Sequence, residues 1–333
     1  MRATAGARCD IVARGSTAAV GQDAVVVDAA DGIPGWLSRL AGTLGEDGTA
    51  VRGERLRRWG LSEVWRVRLG GPPPRSVIVK RGSGGMAQEA HRYRQLVLPL
   101  GAPAPQLLAT AGGRDGEPVV LVLQDVGHDT LEQRPDAAGY RAAVRALADM
   151  RREAARRLRR DPSIAAGLRL TTADVLDAGR RAGAGLAALR PDLAGCLDRP
   201  TQVLIDRLRR VTEPETLVHG DFHAKNLVHA PDGRVVVVDW PGASVHGHLG
   251  DLYCLCREAG RRGRTDVEGV ALPDLFAREA GLDPRTVAEH MTTGGLCWTV
   301  LVLRWMVEEG LQVVPESRGW VDDLVTDCRR LAG

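Results

Sequence analysis

One stretch of this chain, residues 217 to 240, constrains its fold more than any other. It opens with His219-Gly220-Asp221-Phe222-His223-Ala224-Lys225-Asn226, turns at Pro231-Asp232-Gly233, and ends in an apolar strand, Val235-Val236-Val237-Val238, followed by Asp239 and Trp240. A continuous β-branched run is written for a buried strand, and a carboxylate at its end is rigidly fixed. Asp and Asn are common turn formers, so Asp221, Asn226 and Asp239 also fit ordinary loops. Their spacing beside a buried strand points instead to phosphoryl transfer, which needs a hydroxyl oriented in line and a divalent cation on the phosphate oxygens. Asp221 can accept the proton of a substrate hydroxyl. Asn226 and Asp239 supply the hard oxygen ligands that magnesium requires.

At 333 residues the chain is long enough for two lobes. An apolar fraction of 44% and a charged fraction of 26% are those of a globular chain. A net charge of +3 gives no ground for a nucleic-acid or membrane partner. Six cysteines without a framework imply a reduced, cytoplasmic protein, with no signal peptide and no membrane span expected. Lys80 and Lys225 are the only lysines among 45 basic residues. In so arginine-rich a chain they mark places where a compact ammonium is needed.

Residues 1 to 33 have no clear place, although Ala24 to Val27 is strand-like; 1–48 reads as an N-terminal extension and helix, the helix from Pro34 on Trp36, Leu37, Leu40 and Leu44. Residues 51 to 81 read as strands broken at Pro72-Pro73-Pro74, the last ending on Lys80. A helix carrying Glu89 follows, stopped by Pro99, and Glu117 to Val126 is a further strand. From Pro135 to Val211, and again from Leu249 to the end, the pattern is helical. The expected division is a sheet-based half over 49–126 and a helical half over 127–333.

These elements resemble the aminoglycoside phosphotransferase family, within the protein-kinase-like superfamily of small-molecule kinases. His219-Gly220-Asp221, followed after four residues by Asn226, is similar to that family's catalytic loop, and Asp239-Trp240 to its metal-binding Asp and aromatic. Gly250-Asp251-Leu252 resembles the segment whose Asp buttresses that loop. Lys80 and Glu89 resemble the strand-lysine and helix-glutamate pair that grips nucleotide phosphates. Leu121 to Val126 resembles the strand entering the hinge, where Gln124 and Val126 meet the adenine. The resemblance covers residues 51 to 260. It implies an α+β, two-lobe, kinase-like fold with a small, mostly antiparallel sheet and one helix in the first lobe, a mostly helical second lobe, and ATP or GTP with Mg2+ between them. Asp221 is then the base. The acceptor is the hydroxyl of an antibiotic (an aminoglycoside, basic peptide or nucleoside) or, alternatively, of a metabolic sugar, amino alcohol or amino acid. A third reading is a nucleotide-binding scaffold without catalysis. The assembly is a monomer or homodimer.

The segment Trp59 to Glu63 sits where a phosphate-covering loop belongs but lacks a full glycine-rich pattern, leaving Ser62 and backbone amides to meet phosphates. Gly220 replaces the arginine of protein kinases, and no Ala-Pro-Glu segment follows Asp239; both argue for a small-molecule acceptor. His219 reads as a support for the loop. His223 either contacts phosphate or substrate or caps the loop; Lys225 either touches phosphate or substrate or lies at the surface. His246, His248, Cys254 and Cys256 have tighter spacing than a structural zinc site, and a reduced cysteine pair is the simpler reading. Arg151 to Arg160 reads as a solvated basic face. Glu308, Glu309, Asp322, Asp323 and Asp327, if turned to the cleft, would draw a cationic acceptor.

Overall fold

The computed structural model describes residues 25–28, 34, 36–37, 50–70, 75–113, 117–211, 213–230 and 232–333. Leu40, Leu44 and the Pro72-Pro73-Pro74 turn, expected from sequence, lie outside these residues.

The first half is a six-stranded antiparallel sheet in the order β1-β2-β3-β4-β6-β5. Its strands are β1 (Val25–Asp28), β2 (Ala50–Trp59), β3 (Ser62–Leu69), β4 (Arg75–Gly82), β5 (Leu107–Gly112) and β6 (Val119–Gln124). Two of them add to the sequence reading. The segment with no clear place supplies β1, which pairs with β2 from Val25↔Arg55 to Asp28↔Arg52. Strand β5 was not expected at all: its Leu-Leu-Ala-Thr-Ala-Gly composition is weak in β-formers, and it survives as an edge strand zipped to β6.

The two-residue period of β4 sorts its side chains. Val77 and Val79 join Leu37, Trp65, Val67, Val120 and Val122 in a core on one face. Lys80 falls on the opposite face with Ile78, toward the helical stretch that begins at Gly84, becomes α1 (Glu89–Arg92) and ends in a π-turn at Val97. Tyr93, Leu96 and Val97 of that stretch are fully buried and merge with the core of the second half.

The second half is mostly helical. Its main helices are α2 (Ala137–Arg160), α3 (Thr172–Leu189), α4 (Asp198–Leu208), α5 (Gly250–Arg261), α6 (Leu272–Ala280), α7 (Pro284–Trp305) and α8 (Val321–Ala332). Asp136 caps α2 by accepting from Gly139 N, and a Thr171–Asp174 capping box starts α3. The expected solvated basic face of α2 is only partly so. Helical period places Arg151 in line with Leu147, Ala154 and Leu158, and it is 8% exposed; it donates to the carbonyls of Gly247 and His248 at 2.7 and 2.9 Å. Between α4 and α5 lie the short strands β7 (Thr216–Val218), β8 (Leu227–His229), β9 (Val235–Val237) and β10 (Ser244–His246), paired β8 with β9 and β10 with β7. The hydrophobic run is therefore a hairpin arm, and Asp239 lies just past it. Among the described residues no helix is long and apolar enough to cross a membrane.

Candidate active site

The catalytic-type loop is built from its backbone outward. His219 N and Gly220 N donate to the two oxygens of Asp251 at 2.7 and 2.9 Å. Asp251 is 1% exposed in the first turn of α5, where the helix end favours a carboxylate. The His219 ring accepts from Asp221 N through Nδ1 at 3.1 Å, so Nε2 carries the hydrogen and donates to Val238 O at 3.0 Å. One buried ring thus ties the loop to the chain entering Asp239. Gly220 has φ of 86°, and a Cβ there would lie 2.8 Å from Gly242 O; glycine is needed on both counts. Asp239 itself has φ of 72° without being glycine, a strained backbone conformation.

Two clusters of charge meet here. In the first, Lys80 Nζ forms ion pairs with both Glu89 and Asp239. Lys80 is 7% exposed and Glu89 1%, and the other Glu89 oxygen accepts from Trp240 N at 3.0 Å. Burial works against the Lys80 charge, and the carboxylates of Asp239 and Glu89 overcome it to raise its pKa. Burial likewise pushes Asp239 up, and Lys80 more than offsets it, leaving the carboxylate below its usual range.

The second cluster surrounds Asp221. Asn226 Nδ2 donates to Asp221 O and Oδ2 at 2.8 and 2.9 Å, which leaves the amide oxygen as that side chain's only acceptor. Lys225 Nζ stands 3.2 Å from Asp221 Oδ2, and His223 Nε2 stands 3.1 Å from Oδ1. Burial opposes ionisation of Asp221, but Lys225 and His223 hold it well below the usual carboxylate range. Asp221 raises Lys225 in turn. Lys225, for which the sequence left two options, is therefore a member of the cluster although 39% of its side chain is exposed.

The structure brings together Lys80, Glu89, Asp221, His223, Lys225, Asn226 and Asp239, with His219 and Asp251 beneath them. Ser62, Gln124 and Val126 stand apart. Ser62 Oγ is buried without a hydrogen-bond partner, Gln124 N donates to Gln106 O at 2.9 Å, and Val126 follows the end of β6. Glu258 was missed: its carboxylate accepts from Ala224 N at 2.6 Å and lies 3.5 Å from His223 Nδ1. The signal was present, since Glu258 is two helical turns beyond Asp251 on the same face of α5. Also missed was a contact across the halves. Trp59 meets Trp305 edge-on with centroids 6.3 Å apart, a Cβ on Gly60 would lie 2.7 Å from Val313, and Gly85 N donates to Glu309 at 3.2 Å. The β2–β3 turn is thus seated on the C-terminal segment.

His246 and His248 stack with centroids 4.9 Å apart. Among the described residues no group of three or more His, Cys, Asp or Glu side chains is placed to hold a metal ion. Four of the five acidic residues singled out in the C-terminal helices are engaged by arginines, whereas Glu309 accepts from Gly85 N through one oxygen and its other oxygen is buried without a hydrogen-bond partner. Glu308 meets Arg181 at 2.6 Å, Asp322 meets Arg190 at 2.6 Å, Asp323 meets Arg261 at 3.3 Å and Asp327 meets Arg257 at 2.7 Å.

A model of the phosphotransferase enzyme family (APH) matches residues 55–290. The chain belongs to that family, and this phosphotransferase is accordingly a kinase of the aminoglycoside phosphotransferase type. No curated protein matches its sequence. Its protein-kinase-like fold is shared with solved structures of low identity. A putative aminoglycoside phosphotransferase from Ralstonia eutropha JMP134 has 13% identity and TM-score 0.59, with 89% of this chain and 97% of that one covered. The GDP complex of wild-type aminoglycoside 2'-phosphotransferase-IIIa has 16% identity and TM-score 0.57, covering 89% and 97%. A choline/ethanolamine kinase family protein from Mesorhizobium loti has 18% identity and TM-score 0.55, covering 84% and 87%.

Proposed function

We propose that this phosphotransferase moves the γ-phosphoryl of ATP or GTP to a hydroxyl of a small molecule in the cytoplasm, with the nucleotide between the sheet half (49–126) and the helical half (127–333). The observation that carries this reading is the Asp221 carboxylate, kept ionised by Lys225 and His223 and oriented by the Asn226 amide, beside the Lys80–Asp239 pair. Asp221 orients the acceptor hydroxyl and takes its proton as the oxygen attacks phosphorus in line. Lys80, steadied by Glu89, binds the α and β phosphates. Lys225 faces the space next to Asp221, where charge develops on the transferred group. His219 and Asp251 hold the loop in shape.

The donor set suits magnesium: Asn226 turns its oxygen away from Asp221, and Asp239 is an ionised oxygen ligand held by a strained backbone. Asn226 and Asp239 would hold the ion, which supplies charge neutralisation on the phosphate oxygens. Ser62 and the backbone of the β2–β3 turn cover the phosphates, and the chain at Gln124 and Val126 meets the base; the GDP in the 2'-phosphotransferase-IIIa complex supports a nucleotide at such a cleft.

The acceptor belongs either to the antibiotics of self-resistance (aminoglycosides, basic peptides, nucleosides) or to metabolic sugars, amino alcohols and amino acids. The engagement of Glu308, Asp322, Asp323 and Asp327 by arginines weakens the electrostatic ground for a polycation and leaves Glu309 as the acid of that set without an arginine among the ion pairs of the described residues. The test is nucleotide turnover by purified protein with Mg2+ and ATP or GTP against a panel drawn from both groups, with Asp221→Ala as control. Acceptor-dependent turnover lost in the variant is the expected result. A protein that neither turns over nor binds Mg-nucleotide would be a scaffold.

A further inference from the structure

Two arginines beside the catalytic loop have more donors than the protein occupies. Arg92 lies one turn after Glu89 on α1, and its Nη1 donates to the carbonyl of Ala243. Ala243 follows Gly242, whose carbonyl packs against Gly220 next to Asp221. Arg92 therefore stands over the loop. Its Nε is buried and has no hydrogen-bond partner. Arg304, in the last turn of α7, reaches the same region from the other half, and its Nε is likewise buried without a hydrogen-bond partner. The segments carrying the two already touch, since Gly85, leading into α1, donates to Glu309, just past Arg304.

Nearby carboxylates do not answer these donors. Glu308 is 3.7 Å from Arg304 Nε, beyond hydrogen-bond length, and lies 2.6 Å from Arg181. Asp174 feels Arg304 but is spent on Thr171, accepting from its N and Oγ at 2.8 and 2.6 Å. Burial, and after it the like charge of Arg304, lowers the Arg92 pKa. Glu309 accepts from Gly85 N through one oxygen, and neither arginine makes a hydrogen bond to it. A buried donor left unmade on a cation costs about 1–3 kcal/mol or more, and native structures seldom leave two side by side without a use.

We propose that Arg92 and Arg304 form an anion subsite for the acceptor, so that the molecule phosphorylated carries a carboxylate or phosphate group beside its reacting hydroxyl. This rests on the kinase reading and narrows its acceptor to anionic molecules. The planar fork of arginine matches both anions, which a cation on a flexible stem does less well. The subsite also orients: pinning a charged tail between the two halves leaves the hydroxyl to swing toward Asp221.

Isothermal titration of the full chain, with and without Mg-AMP-PNP, tests this. The probes share scaffolds and differ in charge: D-glucose, D-glucuronate and D-glucose 6-phosphate, then L-threonine and L-threoninamide. At least one anionic member should bind about tenfold or more tightly than its neutral counterpart, and which one does so separates carboxylate from phosphate. Arg304→Gln and Arg92→Gln should each erase that preference while Mg-AMP-PNP affinity stays unchanged. Arg304→Gln leaves the Arg92–Ala243 contact in place, so a folding defect in the other variant does not blur the result. Equal affinities within both sets, no binding by any anionic probe, or a preference that survives both substitutions would overturn the subsite. Failure to bind Mg-AMP-PNP would sink the kinase reading alone, because the nucleotide-free titrations still report on the anion.

Discussion

The cleft and the C-terminal helices use the same charged residue types to opposite ends. In the cleft, Lys80, Glu89, Asp239, Asp221 and Lys225 are drawn together around two centres, and Lys80 and Glu89 are almost wholly removed from water. On the C-terminal helices, Asp322 and Asp323 pair with Arg190 and Arg261 on side chains 39–69% exposed. Attraction between charges rises as water is excluded, and so does the cost of leaving one unpaired. An acidic cluster in sequence therefore says little about function until its exposure and partners are known. Asp322 and Asp323 neutralise a surface, whereas Glu89, Asp239 and Asp221 are gathered around Lys80 and Lys225.

The largest expected effect breaks the cleft side of this comparison. With Asp239 in its proposed role of metal ligand, Asp239→Asn should lower kcat by about 10³-fold with the fold retained, checked by steady-state turnover and circular dichroism. The two lysines sharpen it. Lys80→Met strands the buried Glu89 carboxylate and should cost about 3–5 kcal/mol in urea unfolding, while Lys225→Met, on a half-exposed side chain, should lower kcat and leave the unfolding midpoint close to wild type.

A third measurement uses buried groups of the opposite sign. His246 is pushed down to about 4, and His248 well below its usual value, chiefly by burial; Arg151 adds to it for His246, and His246 and then Arg151 for His248. A folded pKa below the unfolded one means the neutral rings favour the fold. Their contribution is complete above the usual value of 6.5 and is lost as pH falls from there toward 4. The melting temperature should fall over that window, and His246→Asn should flatten the slope. The smallest effect is on the surface: Asp322→Asn and Asp323→Asn should each change stability by at most about 0.5 kcal/mol and leave acceptor KM unaltered.

Residues close in sequence were legible because short-range physics places them. The strand period put Lys80 on the helix face, the apolar run fixed Asp239 at its end, and the loop between His219 and Asn226 closes within a few residues. The kinase-like fold was implied by the resemblance of those elements, in that order, to a known family. Strand β5 escaped because its side chains hardly favour a strand and only pairing with β6 makes it one.

By itself, then, the sequence determined the chemical types at the centre and the order of the elements that carry them. Tertiary structure alone decided that Lys225 joins Asp221, that Glu258 backs His223, that Arg151 is buried, and that Glu308, Asp322, Asp323 and Asp327 are spent on arginines. Each of these pairings, apart from that of Lys225, joins residues more than thirty positions apart or depends on which face another helix covers. Charge and hydrogen bonding act over a few ångströms of space, and folding, not sequence distance, sets which groups come within that reach.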